Sequence, residues 1–270
     1  MSKTILITGA SSGIGKATAK YFQQKGWNVI ATMRKPENET ELSSLENVLI
    51  ERLDVLDLMS IELAIENGIN KFGKIDALVN NAGYGAYGPL ESFPRENMVK
   101  QFNTNVIGLM DVTRAITPHF RANKNGVLVN ISSIGGQMCF ALGALYHGTK
   151  FAVEGISESL YYEMAQIGVK VKIVEPGFIA TDFGGRSFDF QSGEIADYQP
   201  IIGALMKQWQ NPNNTVSKPE LVAEVIYGAV TDGNDQLRYR AGADADSLLD
   251  ARKNMSDAEF IGMMSTQLKM

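Results

Sequence analysis

The sequence predicts an α/β fold built on a doubly wound parallel sheet of about seven strands, with helices on both faces. Two observations predict it. Short runs of β-branched and aliphatic residues alternate along the 270 residues with longer helical segments. The short runs are almost continuously apolar, as in strands whose two faces are both covered. Alternating strands and helices form right-handed βαβ units, so the strands are expected to run parallel.

The strands and helices follow in order along the chain. The predicted strands are Thr4–Thr8, Val29–Thr32, Val48–Arg52, Ala77–Asn80, Val127–Ile131 and Val169–Val174, with Leu237–Ala241 as a candidate last strand. The predicted helices are Ile14–Lys25, Met59–Phe72, Pro94–Phe120 and Leu145–Ile167. No stretch has the composition of a linker, so residues 1–270 are predicted to form a single domain.

One irregular stretch, from Phe178 to Lys218, interrupts this alternation. It is longer than the usual connection between elements of a compact domain. Loops of this kind often carry binding residues. We therefore predict that residues 182–218 form a lid over a ligand site.

Composition and charge exclude several classes of function. The formal net charge is -5 and Lys and Arg are scattered, so no basic run suits nucleic acid or a membrane surface. The sole cysteine, Cys139, allows no internal disulfide and fits a reducing compartment. The N-terminal residues lead straight into the first strand, which leaves no room for a signal peptide. No apolar run reaches the ~18 residues of a membrane span, and a soluble cytoplasmic protein is expected.

The first strand–helix junction carries a glycine-rich turn, TGASSGIG at Thr8–Gly15. Glycines allow a tight turn, close approach of a ligand to the backbone and close packing of helix on strand. The N-terminus of the next helix offers unpaired N–H groups that suit a pyrophosphate. We predict a dinucleotide site of the Rossmann type; the alternative is a turn that binds nothing. The residues predicted to hold the cofactor here are Gly9, Ser11, Ser12, Gly13, Ile14 and Gly15.

The end of the second strand favours NADP(H) over NAD(H). Folds that bind NAD often place an acid about 20 residues beyond the glycines, whereas a guanidinium suits a 2′-phosphate. Here Met33 stands where an acid would be expected, and Arg34 and Lys35 follow. NADP(H) with Arg34 on its 2′-phosphate is predicted; the alternative is that both charges are solvated and NAD(H) is accepted. Asp54 is predicted to accept a hydrogen bond from the adenine amino group, unless it is only a cap or turn residue.

Tyr146 and Lys150 lie four residues apart on a predicted helix and so share a face. Spacing alone is weak evidence, because Tyr21 and Lys25 have the same separation in the first helix. Only the Tyr146 pair is preceded by two serines at the carboxyl end of an apolar strand. In open parallel sheets ligands bind at that edge. The sequence therefore predicts that Tyr146 and Lys150 lie in the active site.

These residue types together support proton transfer to a carbonyl oxygen. Reduction of a ketone needs a proton on oxygen as hydride reaches carbon. A phenol has a pKa of ~10, and a lysine ammonium ~5 Å away, at an effective dielectric of ~20, favours phenolate by roughly 3 kcal/mol, or about 2 pKa units. A serine hydroxyl can hold the carbonyl oxygen. We predict hydride exchange between a nicotinamide and a ketone, aldehyde or alcohol, with Tyr146 as general acid–base.

The motifs follow the order of one family. TGASSGIG, NNAG at Asn80–Gly83, Asn105 in NTNVIG, NISS ending at Ser133, YHGTK and the Pro176-Gly177 pair resemble the short-chain dehydrogenases/reductases over residues 3–181. The resemblance implies a tetrad of Asn105, Ser133, Tyr146 and Lys150, with a water held by Asn105 joining Lys150 to a proton relay. It also implies Ser133 rather than Ser132, because the family serine lies thirteen residues before the tyrosine. Further implied cofactor contacts are Val55, Asn81, Ala82, Gly83, Tyr146, Lys150, Pro176 and Gly177, with Ile179 and Thr181 on the carboxamide.

The stretches NNAGYGAYGPLES and YHGTKFAVEGISESL are similar to the branch of hydroxysteroid and retinol dehydrogenase-like enzymes and bacterial carbonyl reductases. The candidate pocket walls are mostly apolar and favour a neutral hydrophobic substrate, although each residue could simply be core. Arg186 is either a partner for a substrate carboxylate or a surface residue. No histidine belongs to a metal-ligand cluster. The candidate walls are Met138, Cys139, Phe140, Leu142, Phe183, Phe188, Phe190, Tyr198 and Trp209.

Two other functions stay open on the same fold. A 3-oxoacyl-type reductase would want basic residues near the pocket mouth, where few occur. A dinucleotide sensor without activity would usually lack a catalytic residue. The resemblance also implies a homotetramer, with a dimer as the alternative, formed through the helices Pro94–Phe120 and Leu145–Ile167. The amphipathic segment Asp257–Met270 is expected to cover either a neighbour's pocket or its own lid.

Overall fold

A computed structural model describes residues 2–181, 187–211 and 215–267. Its strands are β1 (Thr4–Ile7), β2 (Asn28–Met33), β3 (Val48–Arg52), β4 (Ala77–Asn80), β5 (Gly85–Tyr87), β6 (Gly126–Ile131), β7 (Val169–Pro176), β8 (Phe188–Phe190) and β9 (Arg238–Ala241). Seven of them form a parallel sheet in the order β3-β2-β1-β4-β6-β7-β9. The strand order reverses between β1 and β4, where a ligand crevice is expected. The predicted doubly wound sheet is confirmed.

The helices are α1 (Gly13–Gln24), α2 (Leu58–Phe72), α3 (Arg95–Phe102), α4 (Gly108–Asn123), α5 (Ala144–Ala165), α6 (Gln199–Trp209), α7 (Pro219–Thr231), α8 (Ala243–Asn254) and α9 (Asp257–Gln267). Three predicted helices are confirmed with small shifts at their ends. The fourth, Pro94–Phe120, is α3 and α4 joined by a π-helical turn at Asn103–Ile107. Helices α6, α7 and α8 lie outside the predicted set, although Pro219 in the first turn of α7 is typical of a helix start.

Strand β1 shows why its apolar residues are consecutive. Ile5 and Ile7 belong to a core layer with Phe22 of α1 and Ile226 of α7. Leu6, between them, belongs to the opposite layer, under α2, α4 and α5. Successive side chains of a strand point to opposite faces of the sheet. A continuous apolar run is therefore what a strand covered on both faces requires.

The predicted lid of residues 182–218 contains regular structure. Strand β8 pairs in parallel with β5 to form a small separate sheet, and α6 follows it. At the end of the lid, the Ser217 N–H donates to the Phe178 carbonyl (2.9 Å), and the Ala180 N–H donates to the Ser217 carbonyl (2.8 Å). The lid is therefore anchored to the segment that follows β7. Three-residue strands are too short to show a period in the sequence, and β5 and β8 lie outside the predicted strands for that reason.

The C-terminal helices pack on their own chain. Phe260 of α9 is buried with Leu249 of α8 against Ile134 and Met138, in the loop after β6. Helix α9 therefore covers this loop of its own chain, while residues 268–270 lie outside the described ranges. Within those ranges, no helix is long and apolar enough to cross a bilayer.

Candidate active site

The glycine-rich turn has the backbone that its sequence predicts. Gly9 and Gly13 have φ values of 69° and 53°, in the left-handed region that favours glycine. A Cβ on Gly15 would overlap the carbonyl oxygen of Gly9, so only glycine allows this close approach. Ser12 precedes α1 as its N-cap without a side-chain hydrogen bond to the helix. The first N–H groups of α1 are therefore open to an anion, and the cradle fits a pyrophosphate.

Asn81, directly after β4, stabilises this turn. Its side-chain amide donates to the carbonyl oxygens of Thr8 (2.9 Å) and Gly9 (3.1 Å). The backbone N–H groups of Asn81 and Ala82 both donate to the Thr8 hydroxyl, each at 3.0 Å. Asn81 and Ala82 thus lie where the prediction places them, beside the cofactor cradle, and the Asn81 side chain shapes the turn. Gly83 follows and lies against Asn105.

Arg34 and Asp54, which are predicted to contact the adenosine part of the cofactor, follow β2 and β3. Arg34 follows β2, is exposed, and has no ion pair among the residues that the structure describes. One Asp54 carboxylate oxygen accepts from the Leu56 N–H at 3.0 Å, so part of this residue closes a turn. Asp57, not Asp54, caps α2. The Val55 side chain is buried against Gly108, which leaves its backbone for any contact with a cofactor.

Three predicted catalytic residues come together at the carboxyl end of β6. Tyr146 and Lys150 lie on α5, with the Lys150 ammonium 5.8 Å from the centre of the Tyr146 ring. Lys150 Nζ also donates to the Ile131 carbonyl at the end of β6 (2.8 Å). Ser133 lies two residues beyond that carbonyl, and its hydroxyl is hydrogen-bonded to Tyr146. The sheet edge therefore sets the position of both α5 side chains.

Burial dominates the proton affinities of this cluster. It raises the pKa of Tyr146 to about 12, against the opposing effect of the Ser133 hydrogen bond. It lowers the pKa of Lys150 to about 8, against the opposing effect of the Glu154 carboxylate. A lower pKa of Tyr146 is expected from the sequence, and the structure differs because burial of the phenol is the largest effect on this group. In this state Tyr146 holds its proton at neutral pH and is suited to donate it.

The two serines after β6 differ in surroundings. Ser132 is 3% exposed, and its hydroxyl has no partner in the part of the chain that the structure describes. It lies beside Glu154, near Gly136, instead of Tyr146. The Ser133 hydroxyl faces Tyr146 and also accepts from the Gly135 N–H (3.0 Å). Of the two serines, Ser133, the one that the family resemblance implies, is therefore the one beside Tyr146, and its catalytic role stays a prediction.

Asn105 lies in the π-helical turn between α3 and α4 and is buried. Its amide nitrogen donates to the Tyr84 carbonyl (2.8 Å) and to the Thr149 hydroxyl (3.1 Å), and its oxygen accepts from the Tyr84 N–H (3.1 Å). Such single π turns occur mostly at functional sites. The extra residue in the turn carries Asn105 inward, next to the residue that precedes Lys150.

The segment after β7 faces the glycine turn. A Cβ on Gly13 would be 3.2 Å from the Thr181 methyl group, so the predicted phosphate and carboxamide ends of the site adjoin. Asp244 of α8 supports this segment, because its carboxylate accepts from the Phe178 N–H (2.6 Å) and packs over Gly177. Pro176 and Ile179 lie in the same segment, with Ile179 bridged to Ser217. Asp244 is not among the residues predicted from the sequence. The signal that could have identified it is an acidic residue shortly after a glycine at the start of a helix.

Aromatic rings surround the Tyr146 side chain. The Tyr87 ring centre lies 5.5 Å from that of Tyr146, 5.6 Å from Phe188 and 5.2 Å from Trp209. Phe190 stacks on Phe188 at 5.9 Å. Phe188 of β8 and Trp209 of α6 thus pack on Tyr87, which contacts Tyr146, and with Phe190 they form an apolar wall next to this phenol.

The other predicted wall residues lie in different places. Phe140 contacts Phe178, with ring centres 5.6 Å apart, while Met138 is buried under α8 and α9. Tyr198 donates to Glu91 outside this wall. Cys139 is exposed and Leu142 adopts a positive φ of 63°. Phe183 and Arg186 lie outside the described residues.

His147 fixes the loop that covers this wall. Its Nε2 accepts from the Phe140 N–H (3.0 Å) and its Nδ1 donates to the Gly135 carbonyl (3.0 Å). Burial lowers the pKa of His147, which keeps the ring neutral. Of the residues described, none forms a group of three or more metal-ligating side chains.

Comparison with known proteins agrees with this arrangement. The sequence model of the short chain dehydrogenase family matches residues 3–192. An uncharacterized oxidoreductase of Schizosaccharomyces pombe is 47% identical over 236 residues, covering 87% of this chain and 99% of that protein. A 3-ketodihydrosphingosine reductase of Bacteroides thetaiotaomicron is 35% identical over 239 residues, covering 88% and 87%. The structure of ElxO with NADP bound is 29% identical with a TM-score of 0.75, covering 92% of this chain and 100% of that one.

Proposed function

The chain belongs to the short-chain dehydrogenase family, and we propose that it is an NADP(H)-dependent oxidoreductase that interconverts hydrophobic ketones or aldehydes and their alcohols. The observation that carries the proposal is the contact of Ser133, Tyr146 and Lys150 at the carboxyl end of β6. This edge lies beside the uncapped N-terminus of α1, where a dinucleotide fits. A bound cofactor and a proton donor would therefore meet at one place.

NADP(H) is the proposed cofactor, with NAD(H) as the alternative. The glycine cradle of α1 would hold the pyrophosphate, and the exposed Arg34 guanidinium would bind a 2′-phosphate. The residues from Pro176 to Thr181 would hold the carboxamide. The relative ElxO was solved with NADP bound, which supports the same preference here. The nicotinamide, when bound, supplies or accepts the hydride.

The chain's own part in the reaction is proton transfer and positioning. In reduction, Tyr146 donates its hydroxyl proton to the carbonyl oxygen, which becomes the alcohol oxygen. The Ser133 hydroxyl donates a hydrogen bond to the same oxygen and stabilises its developing negative charge. The Lys150 ammonium stabilises the phenolate that Tyr146 leaves behind. Asn105 is proposed to connect Lys150 to solvent through a water.

The aromatic wall supports a neutral hydrophobic substrate. Tyr87 contacts Tyr146, and Phe188 and Trp209 pack on Tyr87, so the rings of this wall are uncharged. A second candidate is reduction of a 3-keto amphiphile, which the name of the Bacteroides relative and the apolar wall both favour. The two candidates share the catalytic residues and differ in the length of the chain attached to the carbonyl carbon.

A homotetramer, or alternatively a dimer, and a cytoplasmic location are proposed for the protein. Support for the oligomer comes from large apolar side chains that are exposed on α3, the π turn and α5: Phe102, Ile107, Phe151 and Tyr162. Apolar patches of this kind often mark subunit contacts.

The direct test is oxidation of NADPH and of NADH, followed at 340 nm, with aryl ketones, aldehydes, keto esters, steroid ketones and a long-chain 3-keto amphiphile. Turnover with NADPH preferred supports the proposal. Preference for NADH would keep the catalytic assignment and contradict the role of Arg34. No turnover despite tight cofactor binding would favour a dinucleotide sensor.

A further inference from the structure

Two buried carboxylates lie behind the catalytic helix. Glu154 of α5 is 6% exposed and Glu175 of β7 is 1% exposed. Arg238 of β9 lies between them, with its Nε 3.0 Å from Glu154 and 3.7 Å from Glu175. The same guanidinium also pairs with Glu158 at the surface (2.7 Å). One guanidinium therefore pairs with three carboxylates, two of which are buried.

Glu154 adjoins the catalytic cluster. It follows Lys150 by four residues on α5, so the two side chains are neighbours on one face. The position of a Cβ on Gly136 would be 2.5 Å from the Ser132 hydroxyl and 3.1 Å from one Glu154 carboxylate oxygen. Both of these atoms are buried and lack a partner within the described ranges. Ser132 directly follows Ile131, whose carbonyl holds the Lys150 ammonium, so Glu154 packs against the strand end that positions Lys150.

The charge of Glu154 acts on Lys150, and Glu175 in turn acts on Glu154. Burial lowers the pKa of Lys150 to about 8, and the Glu154 carboxylate opposes that effect. Burial, followed by repulsion from Glu154, raises the pKa of Glu175 to about 7, while Gln137, Arg238 and Arg240 act against the rise. As the pH rises through neutrality, Glu175 ionises and adds a second negative charge beside Glu154.

Glu175, Gln137 and Arg238 are among the residues that line a cavity of about 750 Å³ at the β9 edge of the sheet. Tyr146, Ser133 and Lys150 are not among its lining residues. The charged and titratable groups around Lys150 and the pair are Tyr146 on α5 and Arg238 and Arg240 on β9. Glu158 of α5 contacts the outer side of Arg238, at the surface.

We infer that Glu154 and Glu175 are positioning residues that keep Lys150 in its charged form and thereby set the upper pH limit of the reaction. The inference deepens the proposed function and rests on it for the role of Lys150. A carboxylate ~6–10 Å away, at an effective dielectric of about 20, shifts a pKa by roughly one to two units. Loss of Glu154 should therefore release the Lys150 proton at a lower pH.

The experiment titrates Lys150 directly, without substrate. The rate of Lys150 acetylation by acetic anhydride is measured by mass spectrometry from about pH 6 to about pH 11, because only the neutral amine reacts. Glu154→Gln should lower the midpoint by about one pH unit, and Glu175→Gln should lower it by less. The matched control is Glu158→Gln, which removes an exposed carboxylate from the same helix and the same arginine. It should leave the midpoint unchanged.

Equal midpoints for wild type, Glu154→Gln and Glu158→Gln would overturn the inference. Glu154→Asp keeps a carboxylate, so its acetylation midpoint should lie between those of Glu154→Gln and wild type. A structural defect would not produce this intermediate value. If circular dichroism shows that Glu154→Gln does not fold, the midpoints of Glu175→Gln and Glu158→Gln are compared instead. A lower midpoint in Glu175→Gln supports the inference, and equal midpoints overturn it. In turnover assays the alkaline limb of kcat should move with the Lys150 midpoint. A wild type without turnover would contradict the proposed function, whereas the acetylation midpoints would still support or overturn the coupling.

Discussion

At the scale of single residues, two tyrosine–lysine pairs with the same spacing have different surroundings. Tyr21 packs on Tyr227 with ring centres 5.5 Å apart, and Lys25 lies over the Tyr21 ring. Tyr146 is buried beside Ser133 and Lys150. Spacing on a helix is identical in both pairs, so the surrounding sheet edge makes the difference.

Tyr146→Phe should reduce turnover by roughly 10²–10⁴-fold, because it removes the proposed proton donor. Cofactor affinity should stay near the wild-type value, since the ring and its packing remain. Steady-state kinetics and NADPH binding by fluorescence measure both. The control is Tyr21→Phe, which should behave as wild type. A Tyr146→Phe variant within tenfold of wild-type turnover would contradict the assignment.

Arg34→Ala should weaken NADPH binding by roughly 10- to 100-fold, the value expected for hydrogen bonds to a charged phosphate. NADH binding should change little, because NADH lacks the 2′-phosphate. Dissociation constants for both cofactors give the answer. Equal losses for NADPH and NADH would show that Arg34 does not recognise the phosphate.

Lys150→Met should abolish most activity and stabilise the folded protein at neutral pH. Burial depresses the pKa of Lys150 in the folded state from 10.5 to about 8, which costs about 3 kcal/mol of folding stability below pH 8. As the pH rises from about 8 to about 10.5, the folded protein loses this proton and the unfolded chain keeps it, so wild type regains stability. The difference between variant and wild type, from urea denaturation, should shrink over that range. A constant difference would exclude this cause.

At the scale of elements, the turn after β1 could be predicted from the sequence, whereas the π turn before α4 could not. Glycines at a strand–helix junction specify their own backbone, because φ values near 60° favour glycine. The π turn at Asn103–Ile107 has no such signature, and the sequence indicates only a continuous helix. Contacts of Asn105 with Tyr84 and Thr149, both distant in sequence, stabilise the irregular turn.

Gly15→Ala should abolish tight cofactor binding, since its Cβ would overlap the Gly9 carbonyl and distort the cradle. Calorimetric titration with NADPH measures the loss. Gly155→Ala is the matched control, because a Cβ at this position of α5 meets no atom within 4 Å. It should retain affinity and gain a few tenths to 1 kcal/mol of stability from helix propensity. Wild-type affinity in Gly15→Ala would contradict the cradle.

At the scale of the whole molecule, the exposed apolar side chains of α3 and α5 form the surface on which the oligomer prediction depends. Phe151→Glu should convert the proposed oligomer into smaller species, because it places a charge in a contact that must be desolvated. Light scattering after gel filtration measures the mass. Ile261→Glu is the control, since Ile261 is also exposed but lies on α9. A monomeric wild type would refute the homotetramer and the dimer together.

The sequence by itself determined the parallel sheet, most of its strands and the family to which the chain belongs. A strand covered on both faces and a glycine-rich turn each depend on a few consecutive residues. Both can therefore be recognised in the amino-acid sequence alone. The single domain, the cytoplasmic location and the cofactor contacts stay predictions.

Only the tertiary structure decided which groups touch. Folding brings the Asp244 carboxylate against Gly177 and packs the lid on Tyr87, which contacts Tyr146. It also brings Glu154 and Glu175 to Arg238. It also reversed the expected shift in the pKa of Tyr146, which burial raises. These outcomes depend on contacts between residues far apart in sequence and on desolvation, and both exist only once the chain has folded.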